Sequence, residues 1–173
     1  LPAWCDSHTH LVFAASRSGE FLSRLEGKSY QEIAAEGGGI LNSARALRSM
    51  SEADLFADAR KRLLQAIHSG TGSIEIKSGY GLDAEAELKM LRVIRALKED
   101  FSIPIKATFL ACHAVPKGNW TAQSWTKHIV EKVLPMVVQE GLADYVDAFC
   151  EKGYFGLEET QLLLDAASAI GIR

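Results

Sequence analysis

The stretch SIEIKSGYGLDAEAELKMLRVIRAL, residues 73–97, holds a strand, a turn and a helix in that order. Ser73 to Lys77 is a short β-rich run, and Ser78-Gly79-Tyr80-Gly81 supplies a glycine-bearing turn. Asp83 then opens a helix whose apolar residues Leu88, Leu91, Ile94 and Leu97 recur on one face. A strand that runs straight into an amphipathic helix is most of a βαβ unit, and the next strand, Ile105 to Cys112, completes it.

The same alternation extends both ways. Upstream, Ser51 with Asp54 resembles a capping box, and Leu55, Phe56, Ala59, Leu63, Leu64 and Ile67 keep helical spacing until Gly70. Downstream, a helix is expected from about Thr121 to Glu140, kinked or split by Pro135, followed by a strand at Tyr145 to Cys150 and a helix from Leu157 to Ala169. Strands marked by Ile74, Ile105 and Tyr145 are spaced by 31 and 40 residues, long enough for crossover helices, so the sheet should be parallel. With a first strand around Asp6, this makes four βα units, and Gly171-Ile172-Arg173 reads as the start of a fifth strand. The fold class predicted is α/β: the first half of a (β/α)8 TIM-type barrel, truncated at the start of strand five, since a whole one takes roughly 250 residues. A small doubly wound sheet is the alternative. No glycine-rich phosphate-binding string follows any strand, which removes support for nucleotide-binding versions of it.

One domain is expected over residues 1–173, with an enlarged first βα loop at about 13–50. That loop carries Gly37-Gly38-Gly39 between two short helical patterns, the first led by Ser29 and Glu32. The hydrophobic share of 47% with 24% charged residues fits a folded domain, not a disordered one. A net charge of −3 gives no basic surface for nucleic acid or anionic lipid, and no apolar run reaches membrane-spanning length. Cys5, Cys112 and Cys150 form no C-x-x-C pair, and an odd number cannot all pair internally, so a reducing, cytoplasmic setting is expected. Cys112 and Cys150 end apolar strands and read as small buried packing residues.

The segment most loaded with chemistry is Asp6-Ser7-His8-Thr9-His10. Strand alternation puts Asp6, His8 and His10 on one face, with both imidazoles near the C-terminal end, where barrel enzymes keep their reactive groups. Two neutral imidazoles one strand-step apart can grip a single borderline metal ion, and Asp6 can orient one of them. His68 and His128, embedded in helices, read as ordinary partly exposed histidines.

DSHTHLVFAASR from Asp6, GGGI at 37–40, EIKSGYGLD at 75–83, ELKMLRV from Glu87, TFLACHAVP at 108–116 and VDAFCE at 146–151 together resemble the imidazolonepropionase family of the amidohydrolase superfamily. The resemblance covers the whole chain but only the middle part of the family's polypeptide. It departs from the usual string at Ala15, where glycine is common.

By that resemblance His8 and His10 are ligands of one zinc or iron ion, Arg17 and Tyr80 hold the substrate, and His113 is the catalytic group at its reacting end. The planar fork of Arg17, in the first βα loop, suits a carboxylate. The phenol of Tyr80 offers a directed hydrogen bond, and an imidazole at 113 can polarise a carbonyl as a donor. Lys77 and Glu151, also at strand ends, are left out of the metal shell.

The resemblance implies metal-dependent hydrolysis of the cyclic amide 4-imidazolone-5-propanoate to N-formimidoyl-L-glutamate in histidine degradation. A third histidine and an aspartate from later strands would complete the site. Another cyclic amidohydrolase or deaminase, and a non-catalytic half-barrel module, remain open as alternatives. A small-molecule substrate is the expected partner. Two open sheet edges and an apolar interior face further predict association with the remaining half of the barrel, or self-association such as a homodimer.

Overall fold

The computed structural model describes residues 2–16, 18–29, 32 and 39–172. Its elements are β1 (Trp4–Thr9), α1 (Ser18–Leu25), α2 (Ile40–Ser49), α3 (Glu52–His68), β2 (Thr71–Lys77), α4 (Ala84–Asp100), β3 (Ile105–Cys112), α5 (Ala122–His128), a π-helical turn (Ile129–Val133), α6 (Leu134–Gln139), β4 (Tyr145–Ala148) and α7 (Leu157–Ala169). The four strands form one parallel sheet in the order β1-β2-β3-β4, with helices carrying each crossover. This is the first half of a (β/α)8 barrel. No helix among the described residues is long and apolar enough to cross a membrane.

Period-two alternation sorts the sheet into two unlike faces. Ile74, Ile76, Ala107, Phe109 and Val146 point to the helices and share one core with Leu63, Leu91, Ile94, Val133 and Leu163. The residues between them, Glu75, Lys77, Thr108 and Asp147, point the other way and bond to one another. The interior face is therefore polar at its centre, where an apolar one is expected from the sequence. The β2 run SIEIK reads as hydrophobic only on the face that meets the helices.

Caps fall where the side chains dictate. Ser51 and Asp83 each accept from the backbone N–H three residues on, at the starts of α3 and α4. The helix expected over 121–140 is split, as Pro135 requires: this residue has no N–H for the carbonyl of Glu131, and the chain widens into the π-helical turn just before it. The end of α7 closes on Gly171 at φ 80°, with the Ile172 N–H bonded to the Ala167 carbonyl. Gly171 and Ile172 thus form a helix-terminating turn, and Arg173 lies outside the described residues.

In the first βα loop, α1 is a helix that sequence periodicity did not mark. The Ser29 and Glu32 pair does make the reciprocal bonds of a helix start. The helix it would lead, with Gly37 and Gly38, lies outside the described residues. α2 is anchored from below: the Lys89 ammonium of α4 donates to the carbonyls of Leu47 and Met50, which have no partners inside α2.

Candidate active site

His8 lies within β1 and His10 one residue beyond it, at the C-terminal end of the sheet. The β1–β2 register slips between Asp6 and Thr9, where three steps along β1 match two along β2, from Ile74 to Ile76. This bulge breaks the strict alternation expected for Asp6, His8 and His10. The two imidazoles nonetheless converge, with ring centroids 5.6 Å apart. Thr9 pins the segment by donating to the Glu75 carbonyl at 2.7 Å.

Tyr80 comes from the turn after β2 and His113 from the end of β3. The Tyr80 ring stands edge-on to His10 at 4.8 Å, and His113 stacks on His10 at 5.0 Å with an interplanar angle of 11°. Three of the five residues singled out from sequence thus surround one point with His8 at its edge. Arg17 lies outside the described residues. Beside this cluster a cavity of about 250 Å³ is lined by His10, Phe13, Ala15, Ser16, Ser43 and Tyr80. Its wall is held by Arg62, which donates to the Leu11 and Phe13 carbonyls and lies 3.5 Å over the Phe13 ring.

Burial acts on the charge of two of these imidazoles, His10 and His113. Desolvation, then the neighbouring His113 and His8, lower the pKa of His10 to about 4, so its ring is neutral near pH 7. Its Nδ1 is buried with no hydrogen-bond partner. His113 is likewise lowered, chiefly by desolvation. Its Nδ1 lies 3.0 Å from the Gly79 carbonyl oxygen, and since a carbonyl only accepts, Nδ1 carries the proton. The neutral ring therefore offers a lone pair at Nε2. Donation from Nε2, the role expected from sequence, requires the imidazolium.

A neutral ring and an orphaned buried nitrogen at His10 are what a metal ligand needs, and with the His8 imidazole beside it the pair fits a zinc or iron ion. Two donors are an incomplete set. Among the described residues no group of three or more His, Cys, Asp or Glu side chains is gathered to hold a metal.

Lys77 lies nearby and is buried, donating to Glu75 at 2.6 Å and Asp147 at 3.0 Å. Burial disfavours its ammonium, but the bonds and charges of those two carboxylates prevail and hold its pKa above the ordinary lysine value. A protonated Lys77 is no nucleophile. Glu151 is exposed, as is Asp6. Cys112 is buried beside Thr126, and desolvation pushes its thiol up to about 12. Cys150 is exposed, contrary to expectation, because β4 stops at Ala148 and leaves it outside the sheet, in an isolated bridge to Phe155.

Sequence reading passed over Ser43, which α2 brings to the cavity, and Phe149, whose ring meets His113 at 5.8 Å. It also passed over Glu87 as a functional residue, because a glutamate in the first turn of a helix reads as an ordinary favourable charge there. Only its buried position distinguishes it.

No protein-family model matches the chain. Curated relatives do: the imidazolonepropionase of Christiangramia forsetii is 50% identical over 174 residues, that of Flavobacterium johnsoniae 51% over 176, and that of Shewanella oneidensis 49% over 175. These matches take in 99–100% of the chain and 42% of each relative. The chain therefore spans about two fifths of the length of the curated relatives it matches.

Proposed function

We propose that this chain, which matches the imidazolonepropionase family over its whole length, carries part of the active site of a polypeptide that hydrolyses 4-imidazolone-5-propanoate to N-formimidoyl-L-glutamate in histidine degradation. The reaction opens a five-membered cyclic amide by adding water at the ring carbonyl and breaking its C–N bond. The observation that carries the reading is the meeting of His8, His10, Tyr80 and His113 at the C-terminal ends of three parallel strands, beside a cavity.

His8 and His10 would hold one zinc or iron ion, with further ligands from outside this chain. Bound there, the ion supplies Lewis acidity toward water and the ring carbonyl. Tyr80 orients the substrate through its phenol, and Arg17 receives the propionate carboxylate in its bidentate fork. His113, with its proton fixed on Nδ1, presents Nε2 as an acceptor for a ring N–H. The three free cysteines support a cytoplasmic setting. Incubation of the complete polypeptide with 4-imidazolone-5-propanoate, after loading with zinc or iron, should yield N-formimidoyl-L-glutamate. Intact substrate after full metal loading would withdraw the reading.

A further inference from the structure

The Glu87 side chain is fully buried in the first turn of α4, aimed back under the turn that follows β2. One carboxylate oxygen accepts from the Gly79 N–H at 2.8 Å, and the other accepts from Gly81 at 2.7 Å and Leu82 at 3.2 Å. Burial holds this carboxyl above the ordinary range, and the Ser78 hydroxyl and those three backbone donors bring it only part of the way back. A carboxylate is acceptor-only, so every group around it fits the ionised form.

The Gly79 N–H belongs to the Ser78–Gly79 peptide, and the Gly81 N–H belongs to the Tyr80–Gly81 peptide. Glu87 thus grips the peptide planes on both sides of the Gly79–Tyr80 peptide. That middle peptide presents the carbonyl that takes the His113 Nδ1–H. Tyr80 lies between two restrained planes, so its backbone direction is set as well.

The turn has little room to settle otherwise. A Cβ on Gly79, which sits at φ 107°, would lie 2.8 Å from the Leu110 oxygen and 3.0 Å from the His113 Cβ. Leu82 is held at φ 55°, a conformation unfavourable to a leucine. Its side chain is wedged against Ala44 and Ala114.

We infer that Glu87 is a positioning residue: from beneath the turn it fixes the direction of Tyr80 and, through the Gly79 carbonyl, the ring orientation and proton position of His113. The inference rests on the proposed function for its kinetic consequence, but not for its structural one.

Glu87→Gln, made in the complete polypeptide, keeps the shape but turns an amide NH2 toward backbone donors. Histidine 15N NMR should then show His113 leaving the Nδ1–H form for a mixture of tautomers, and kcat/KM should fall by about 10–100-fold, as loss of a supporting hydrogen bond commonly causes. Leu163→Ala, in α7 and remote from the turn, is the control for lost stability and should leave the tautomer unchanged. If Glu87→Gln does not fold, Glu87→Asp carries the same comparison, because it keeps the charge but withdraws the oxygens by one methylene. An unchanged His113 tautomer in the folded variant overturns the inference. A changed tautomer in a polypeptide whose parent leaves 4-imidazolone-5-propanoate intact upholds the positioning role and removes the proposed substrate alone.

Discussion

The Lys77 ammonium of β2 lies 3.0 Å from a carboxylate oxygen of Asp147 in β4, although β3 runs between the two strands. In a flat sheet, positions two strands apart are separated by roughly 9–10 Å, and side chains stand nearly perpendicular to it. The contact therefore registers the curl of the sheet toward this face. Thr108 of β3 completes the network by donating to Glu75. One buried cation thus ties three adjacent strands together beneath His10.

Lys77→Met should accordingly destabilise the protein. It leaves Glu75 and Asp147 facing each other without a cation, and breaking a fully buried pair costs ~3–5 kcal/mol. Asp147 keeps 44% of its side chain exposed, so the loss should be nearer to about 2 kcal/mol once solvent screening is counted. The pH sign follows from the raised lysine pKa. The ammonium is bound more tightly in the folded than in the unfolded chain, so its contribution is complete below about 10.5 and lost only as pH rises through the higher folded value. Denaturant midpoints of parent and Lys77→Met should differ at pH 7 and converge well above pH 10.5. Equal midpoints at pH 7 would show that the network carries no stability.

His8→Ala and His10→Ala should each lower the metal retained by the complete polypeptide after dialysis, without moving its unfolding midpoint equally. His8 is exposed, and truncating it removes little packing. His10 is more buried and packs against Tyr80 and His113, so its loss should cost about 1–3 kcal/mol as well as metal. Metal content by atomic emission together with thermal unfolding separates the two effects. Full metal retention in both variants would take the ion away from β1.

The sheet and its helices were legible because each element declares its own period. SIEIK alternates, Leu88 to Leu97 keeps helical spacing, and Ser51 and Asp83 cap where they stand. His8 and His10 were legible from their spacing at a strand end, whereas Tyr80 and His113, also at strand ends, stood out only through the family resemblance. The features missed depend on contacts that no local period encodes. The bulge between Asp6 and Thr9 comes from pairing with β2, and the burial of Glu87 from a turn folded down onto α4. The interior face expected of a cut barrel is apolar, but its centre is polar because Glu75, Lys77 and Thr108 alternate with the apolar residues of β2 and β3 and share the other side.

Residues 1–173, prepared as a separate chain, should associate and should not turn over substrate. Among the described residues β1 and β4 each pair on one side only, leaving two open ladders of backbone donors and acceptors. The polar network over β2 to β4 makes the interior face a poor adhesive. The outer surface is stickier: Val130, Leu134, Pro135, Val138, Ala166 and Ile170 line a mostly apolar groove of about 320 Å³ at α6 and α7, and Met136 is exposed elsewhere on α6. Association should therefore proceed through edges and groove, and Val138→Lys, at the exposed rim, should weaken it. Catalysis should fail for a separate reason. On the proposed reading His8 and His10 supply two donors where catalytic zinc sites commonly take three from the protein, and no third is gathered among the described residues. Sedimentation velocity across a concentration series reads the first half of the claim. A substrate-loss assay with added zinc or iron reads the second. Steady turnover by a monomer would mean that this chain completes its own site, and the half-site reading would have to be given up.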